Sequence, residues 1–406
     1  MTATSAQAIT SLRANRDFRL LWVGGLLGNL GSQMGALALP LLVLAETHSP
    51  GWAGMVGSVS AAATLITLIP GGAVADATER RRLMIGCELA AAGTAASLTV
   101  VALTHRAALS LIVLAAVLSA ALGSVYGPAA SALLRAAVPS DHIGSAMSYL
   151  QARSATARLA GPLLGGLLFG VDPALPFAAQ TAGLLVSGGC LLAVRTRARP
   201  AGAGPSPLHP RPILAGLTFL WRHPFLRAAL VIAGAGLNAA FGAVLLAAIT
   251  SAARHDPSGR SSGLISALAG AGALVGALAA TRLKARQHTR SAILVACWTS
   301  AVAVSLLTLA PGSVVIALLV CCCLVTATVA NVAFAATMLV VTPDGLVGRV
   351  QAAAAFVSLA AQPLGPLAGG LLLEHVGEQT TFGILAGVLT IGALAATVAK
   401  GLKTAA

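Results

Sequence analysis

Predominantly apolar runs of about 20 residues, the length an α-helix needs to cross hydrocarbon, recur twelve times in this chain. They lie near 20–45, 51–74, 83–103, 107–131, 143–169, 174–194, 226–249, 262–281, 290–310, 313–340, 346–373 and 380–400. A soluble protein is about a quarter charged, whereas this one is 9% charged and 57% apolar over 406 residues. With a mean hydropathy of +0.90, its solvent is lipid. Because the runs lack the in–out alternation of barrel strands, the expected fold class is an all-α membrane protein of twelve transmembrane helices.

The net charge of +14 would suggest nucleic acid in a soluble protein, but its distribution points elsewhere. With the N-terminus in the cytoplasm, all of the 25 Lys and Arg except Arg106, Arg254 and Arg260 fall on cytoplasmic segments or cytoplasm-facing helix halves. That is the positive-inside pattern. It predicts a multi-pass protein of the inner (cytoplasmic) membrane with both termini cytoplasmic, and no nucleic-acid partner. Residues 1–19 are polar and carry Arg13, Arg16 and Arg19 before the first run, so no cleavable signal peptide is expected.

The chain also repeats itself. Gly161-Pro162-Leu163-Leu164-Gly165-Gly166 returns as Gly365-Pro366-Leu367-Ala368-Gly369-Gly370, and Val138-Pro139 as Thr342-Pro343, each pair 204 residues apart. The same offset carries Gly72 onto Gly276 and Arg82 onto Arg286. Such duplication is common in transporters, whose sites lie where the halves meet. The expected organisation is two pseudo-symmetric six-helix bundles, 1–194 and 214–406, joined by a cytoplasmic linker over 195–213. A pair of bundles on a hinge is suited to rocking about a central cleft, which a single-bundle channel does not need.

The loop after the second run reads Gly72-Ala73-Val74-Ala75-Asp76-Ala77-Thr78-Glu79-Arg80-Arg81-Arg82. It resembles the signature loop of the major facilitator superfamily, a glycine followed by an aspartate and then a basic cluster. Arg16-Asp17-Phe18-Arg19-Leu20-Leu21-Trp22, Phe219-Leu220-Trp221-Arg222-His223-Pro224 and the two Gly-Pro units look like the branch of bacterial enterobactin exporters and macrolide efflux pumps. The resemblance implies a gating loop of Gly72, Asp76, Arg80, Arg81 and Arg82, with Asp76 latching the start of the eleventh helix, around 345–349, when the cytoplasmic side is closed. It also associates the Gly-Pro unit of the fifth helix with export by antiport. Departures from the pattern are Ala77 and Glu79 in the first loop and Ala280 where the second copy would have its aspartate.

The remaining candidates follow from polarity inside apolar runs, since intramembrane polar groups face protein or water rather than lipid. Glu88, about 9 Å into the third helix at 1.5 Å per residue, is the candidate proton-coupling group; the alternative is a structural pair with an Arg of the same edge. Asn29, Ser32 and Gln33 form a polar stripe on the first helix. Tyr126, Asn238 and Asn331 are further substrate-cavity candidates, each also able to serve as an interhelical hydrogen-bond partner. Arg158 and its counterpart Gln362 stand three residues before the two Gly-Pro units; Arg158 is expected to face the cleft as an anion-binding or helix-bridging group, and Arg153 to snorkel toward the cytoplasm. Gly161, Pro162, Gly165, Gly365, Pro366 and Gly369 are expected to allow close packing and a bend.

Several chemistries are missing. No Gly-Lys pair exists for a phosphate-binding loop, and the six cysteines sit within apolar runs where Cys321, Cys322 and Cys323 cannot converge on one metal. The expectation is therefore no enzyme, no cofactor and no metal. What remains is the expectation of a monomeric secondary transporter, a proton-coupled exporter of an amphipathic small molecule such as a siderophore, antibiotic or other secondary metabolite. An importer or lipid-type carrier of the same fold, or a transport-inactive receptor or scaffold, are the alternatives.

Overall fold

The computed structural model describes residue 12 and residues 15–104, 109–196, 210–283, 289–309, 312–343 and 346–403. Twelve long helical segments run through them. Helices 1 to 6 are Arg16–Thr47, Pro50–Ala77, Arg80–Thr104, Leu109–Ala137, Ile143–Phe169 and Leu175–Ala193. Helices 7 to 12 are Pro224–His255, Arg260–Arg282, Thr289–Leu307, Ser313–Val341, Val347–His375 and Glu378–Val398. Eleven are long and apolar enough to cross a membrane. Helix 5 has the length, but Gln151, Arg153 and Arg158 interrupt its apolar run.

The sequence duplication reappears as packing. In the first half, helix 2 packs on 4, 3 on 4, 3 on 6 and 1 on 5; in the second, helix 8 packs on 10, 9 on 10, 9 on 12 and 7 on 11. The halves touch along two long seams, helix 5 against 8 and helix 2 against 11, which the repeat exchanges. Glycines make both seams. Gly166 lies against the backbone of Gly259 and Gly263, and Gly370 against that of Pro50 and Gly54, allowing main chains to approach without side chains between them.

Successive helices reverse direction, so one face of the molecule collects Arg16, Arg19, Arg80, Arg81, Arg82 and Arg349 at helix ends. We call it the basic face. Both glycine seams lie nearer the opposite face, at the start of helices 2 and 8 and the end of helices 5 and 11. Three hydrogen bonds cross between halves there: Ser49 Oγ and Gly51 N–H to Glu374, at 2.7 and 2.8 Å, and Ser58 Oγ to the Pro363 carbonyl.

Three local expectations need correction. Pro162 lies inside a continuous helix 5, while helix 11 is interrupted at Gln362-Pro363, ahead of Pro366. A proline cannot donate to the carbonyl four residues back, and two prolines in four residues leave that turn under-bonded. The 195–213 linker also ends sooner than expected, because an amphipathic helix, Pro210–Arg222, precedes helix 7 and packs on helix 11. The rest of the linker is largely outside the described residues, as are Gly345, Lys284 and Arg286.

The helix ends are capped by polar residues that also tie elements together. Asn15 accepts from Phe18 N–H at 3.1 Å and donates to the Ala137 carbonyl at 2.9 Å. Asp17 accepts from the Thr196 N–H and hydroxyl at 2.8 and 2.6 Å, holding the end of the first half against helix 1. Asp256 closes the start of helix 8; the Ser258 and Ser261 hydroxyls and N–H groups donate to it and hold its carboxyl below the ordinary 3.8. A lowered folded pKa means the cap stabilises above the unfolded value and is lost as pH falls through the folded one. Amide-exchange protection of the first turn of helix 8 is thus expected to persist from neutral pH down to the carboxylate range and then collapse. Loss already near neutral pH would show that Asp256 is not the cap.

Candidate functional site

A cavity of about 470 Å³ opens inside the first half, lined by residues from all six of its helices. Helices 1 and 6 approach closely around it because Gly24, Gly28, Gly31 and Gly35 recur on one face of helix 1. A Cβ at Gly28 would meet Ser187 at 3.2 Å, and one at Gly31 would meet the Gln180 backbone at 2.7 Å. That packing brings Ser187 of helix 6 against Glu88 of helix 3.

Glu88 is the chemical centre of the cavity wall. It is 5% exposed, and its Oε1 accepts a 2.7 Å hydrogen bond from Ser187 Oγ. Its Oε2 is buried without a hydrogen-bond partner among the described residues. Tyr126 of helix 4 and Arg153 of helix 5 are its other polar neighbours. Helix 3 starts at Arg80, so Glu88 lies about 12 Å along it at 1.5 Å per residue.

Arg153 departs from expectation. Rather than snorkelling to the edge, it turns into the bundle, where Nη1 donates to the Leu21 carbonyl at 3.0 Å and its guanidinium occupies the space a Cβ on Gly25 would take. A long cation beside a buried carboxylate finds an electrostatic partner there that lipid cannot offer. Four helices thus contribute to one polar cluster: Glu88, Ser187, Tyr126 and Arg153, with no ion pair closer than 4 Å recorded between Glu88 and Arg153.

Residues 21–362 match the family model for the Major Facilitator Superfamily. The chain belongs to that superfamily. It is a transporter and not an enzyme. Among proteins of known role, the multidrug efflux pump Tap of Mycolicibacterium fortuitum is 27% identical over 381 residues, spanning 89% of this chain and 90% of that one. An efflux pump among its relatives agrees with the branch that the opening and Gly-Pro motifs resemble. Among solved structures, a bacterial homologue of the human lysosomal transporter Spinster, in an inward-facing and unoccupied conformation, superposes with a TM-score of 0.74 at 14% identity, covering 94% of this chain and 96% of its own. The nucleoside transporter NupG gives 0.75 at 13% identity, covering 95% and 100%. At such identities these likenesses concern the fold alone.

Within this superfamily member the expected cavity residues divide. Asn29, Ser32 and Tyr126 line the cavity with Glu88 and Arg153, together with Ser60, Cys87, Ser119 and Gln180, which sequence reasoning did not propose as cavity residues. Gln33 does not join them; its side chain lies against Gly161 of helix 5, because one residue turns the helix by about 100°. Asn238 donates to the Gly234 carbonyl at 2.6 Å, just beyond a π-helical stretch, Leu230–Leu237. Asn331 and Gln362 are exposed on the second half. Arg158 is exposed too, its backbone against Gly270 of helix 8, which puts it at the seam between halves.

The loop expected to gate is placed residue by residue. Arg81 donates to the Leu191 and Leu192 carbonyls at 2.9 and 2.6 Å, capping helix 6, and Arg82 pairs with Glu79 at 2.7 Å. Asp76 is exposed and holds no partner among the described residues. Leu346, at the start of helix 11, supplies no side-chain cap. Gly72 has open space around its Cα, so close packing does not explain it.

Proposed function

We propose that the protein is a secondary active exporter that couples proton entry to the outward movement of an amphipathic small molecule, such as a siderophore, antibiotic or other secondary metabolite. The observation that carries this reading is Glu88: a carboxylate inside the membrane-spanning part, on a cavity wall beside Tyr126, with one oxygen bonded to Ser187 and the other without a hydrogen-bond partner among the described residues. Buried acids in transporters mark proton or ion pathways. In this reading Glu88 takes and releases the proton, Arg153 supplies the opposing charge when it is ionised, and Asn29, Ser32, Tyr126 and Gln180 offer hydrogen bonds in a mainly apolar cavity. The relative that is a multidrug efflux pump favours export over import. Arg158 and Gln362, exposed near the middle of the seams, are proposed to meet cargo passing between the halves.

The basic face is the cytoplasmic one in this proposal, following the positive-inside pattern, with both termini inside and the protein working as a monomer. The bundles 1–194 and 214–406 then meet near the outer face and part toward the cytoplasm, an inward-facing state. Asp76, without a partner among the described residues, fits such a state: the cytoplasmic latch is open. Asp76→Asn is expected to lower transport about tenfold at unchanged membrane abundance, the scale of one lost charge-assisted bond. Unchanged transport would remove the latch. The function itself is tested in proteoliposomes of known orientation under an imposed pH gradient, screened against metabolites secreted by the host. Uptake in place of release indicates an importer, and no movement of any solute by folded protein indicates a receptor or scaffold.

A further inference from the structure

We propose that Glu374 is the latch that holds the face opposite the basic one shut, by capping the first turn of helix 2 from the other half of the molecule. Helix 2 starts with Ser49 as its N-cap and Pro50 at its first position. Proline has no N–H, so the Gly51 N–H is the first free donor at this end. It donates to Glu374 Oε2 at 2.8 Å, and Ser49 Oγ donates to the same oxygen at 2.7 Å while accepting from Trp52 N–H at 3.2 Å. The carboxylate thus meets the positive end of a helix dipole through two charge-assisted hydrogen bonds. Glu374 is next to last in helix 11 and moves with the second half. Opening this face therefore breaks both bonds.

The related seam shows the same geometry without a latch. The residue 204 positions before Glu374 is Gly170, which faces the Ser258 backbone. There the first turn of helix 8 is capped from its own loop, Asp256 accepting from the Ser258 and Ser261 N–H groups at 3.1 and 3.3 Å. That cap stays with helix 8 whether the seam is open or closed. The repeat is broken where a side chain reaches across.

The opposite ends of helices 2 and 11 complete the arrangement. The two helices run antiparallel, so each finishes beside the start of the other: Glu374 at the start of helix 2, and Asp76, near the end of helix 2, toward the start of helix 11. Among the described residues the first cap is made, and Asp76 makes no bond to the start of helix 11. One helix pair thereby trades caps between its two ends, linking closure of one face to release of the other. The inference rests on the alternating-access reading only in requiring that the two faces open in turn, and its test reads conformation rather than transport.

The test uses full-length protein in lipid nanodiscs, with the six native cysteines replaced and spin labels at Ala45→Cys and Arg254→Cys, which face one vestibule at the ends of helices 1 and 7. Pulsed electron resonance reads the short (closed) and long (open) distance populations. Glu374→Gln is expected to raise the open-to-closed ratio about tenfold, equivalent to about 1.4 kcal/mol, and Ser49→Ala to raise it less. Glu378→Gln, a carboxylate of the same face whose neighbour His255 belongs to its own half, is expected to match wild type. Wild-type distributions in folded Glu374→Gln and Glu374→Ala overturn the latch, as does an equal shift in Glu378→Gln. If the distances shift as expected but no variant or wild type moves solute, the transport proposal fails while the latch stands.

Discussion

Glu88→Gln is expected to reduce transport driven by an imposed pH gradient by about a hundredfold, the lower range for removing a proton-transfer group, while solute exchange without a gradient continues. Gln has nearly the same shape and keeps an oxygen to accept from Ser187, so the packing of helix 3 on helix 6 is retained. What is lost is the capacity to alternate between charged and neutral. Glu88 has few rivals for this role. Among the described residues the other acids lie in loops or within about a turn of a helix end, whereas Glu88 is well inside helix 3 and 5% exposed. Arg153→Met serves as the companion variant: with the neighbouring cation gone, the pH profile of transport is expected to differ from wild type. A profile identical to wild type in Glu88→Gln would place the coupling elsewhere.

Gly370→Val is expected to have the second large effect, on conformation. A Cβ at Gly370 would sit 2.5 Å from the Pro50 carbonyl and 2.9 Å from the Gly54 Cα; at Gly166 the corresponding distances to Gly259 and Gly263 are also 2.5 and 2.9 Å. All of these neighbours are main chain and cannot rotate aside. Overpacking of this kind costs about 1–3 kcal/mol, so the closed seam is expected to lose about tenfold to a hundredfold in population. Gly166→Val should act alike on the other seam, and Gly392→Val, where nothing lies within 4 Å, should do nothing comparable. The spin-label distances across the vestibule check this directly. Closed seams in all three variants would mean that the halves do not need backbone contact to meet.

The parts of this picture legible in the sequence share a physical reason. Lipid demands apolar length, so twelve spans could be counted; duplication keeps spacing, so the 204-residue offset showed that Gly166 and Gly370 are counterparts, though not that each would sit in a seam between the halves. Glu88 and the Asn29–Ser32 stripe were legible because a polar group in lipid must turn inward. Rotation about each helix axis was not. A helix that is apolar all round carries no amphipathic contrast to orient it, so Gln33 was placed with Ser32 although it faces helix 5, and Arg153 and Ser187 were not recognised as neighbours of one carboxylate. Glu374 was missed for a different reason: an acid near a helix end reads as solvated, and only the fold shows that another helix starts beside it. The break at Pro363 rather than Pro366 was hidden by the more conspicuous Gly-Pro unit.

Every residue lining the cavity falls between Gly25 and Leu184, so its whole wall comes from the first half. A molecule seated there travels as a passenger of one body, and the strength of its seat is a property of that body alone. Under the proposed function the second half is then a shutter: it governs when the passenger can board or leave, not how firmly it is held.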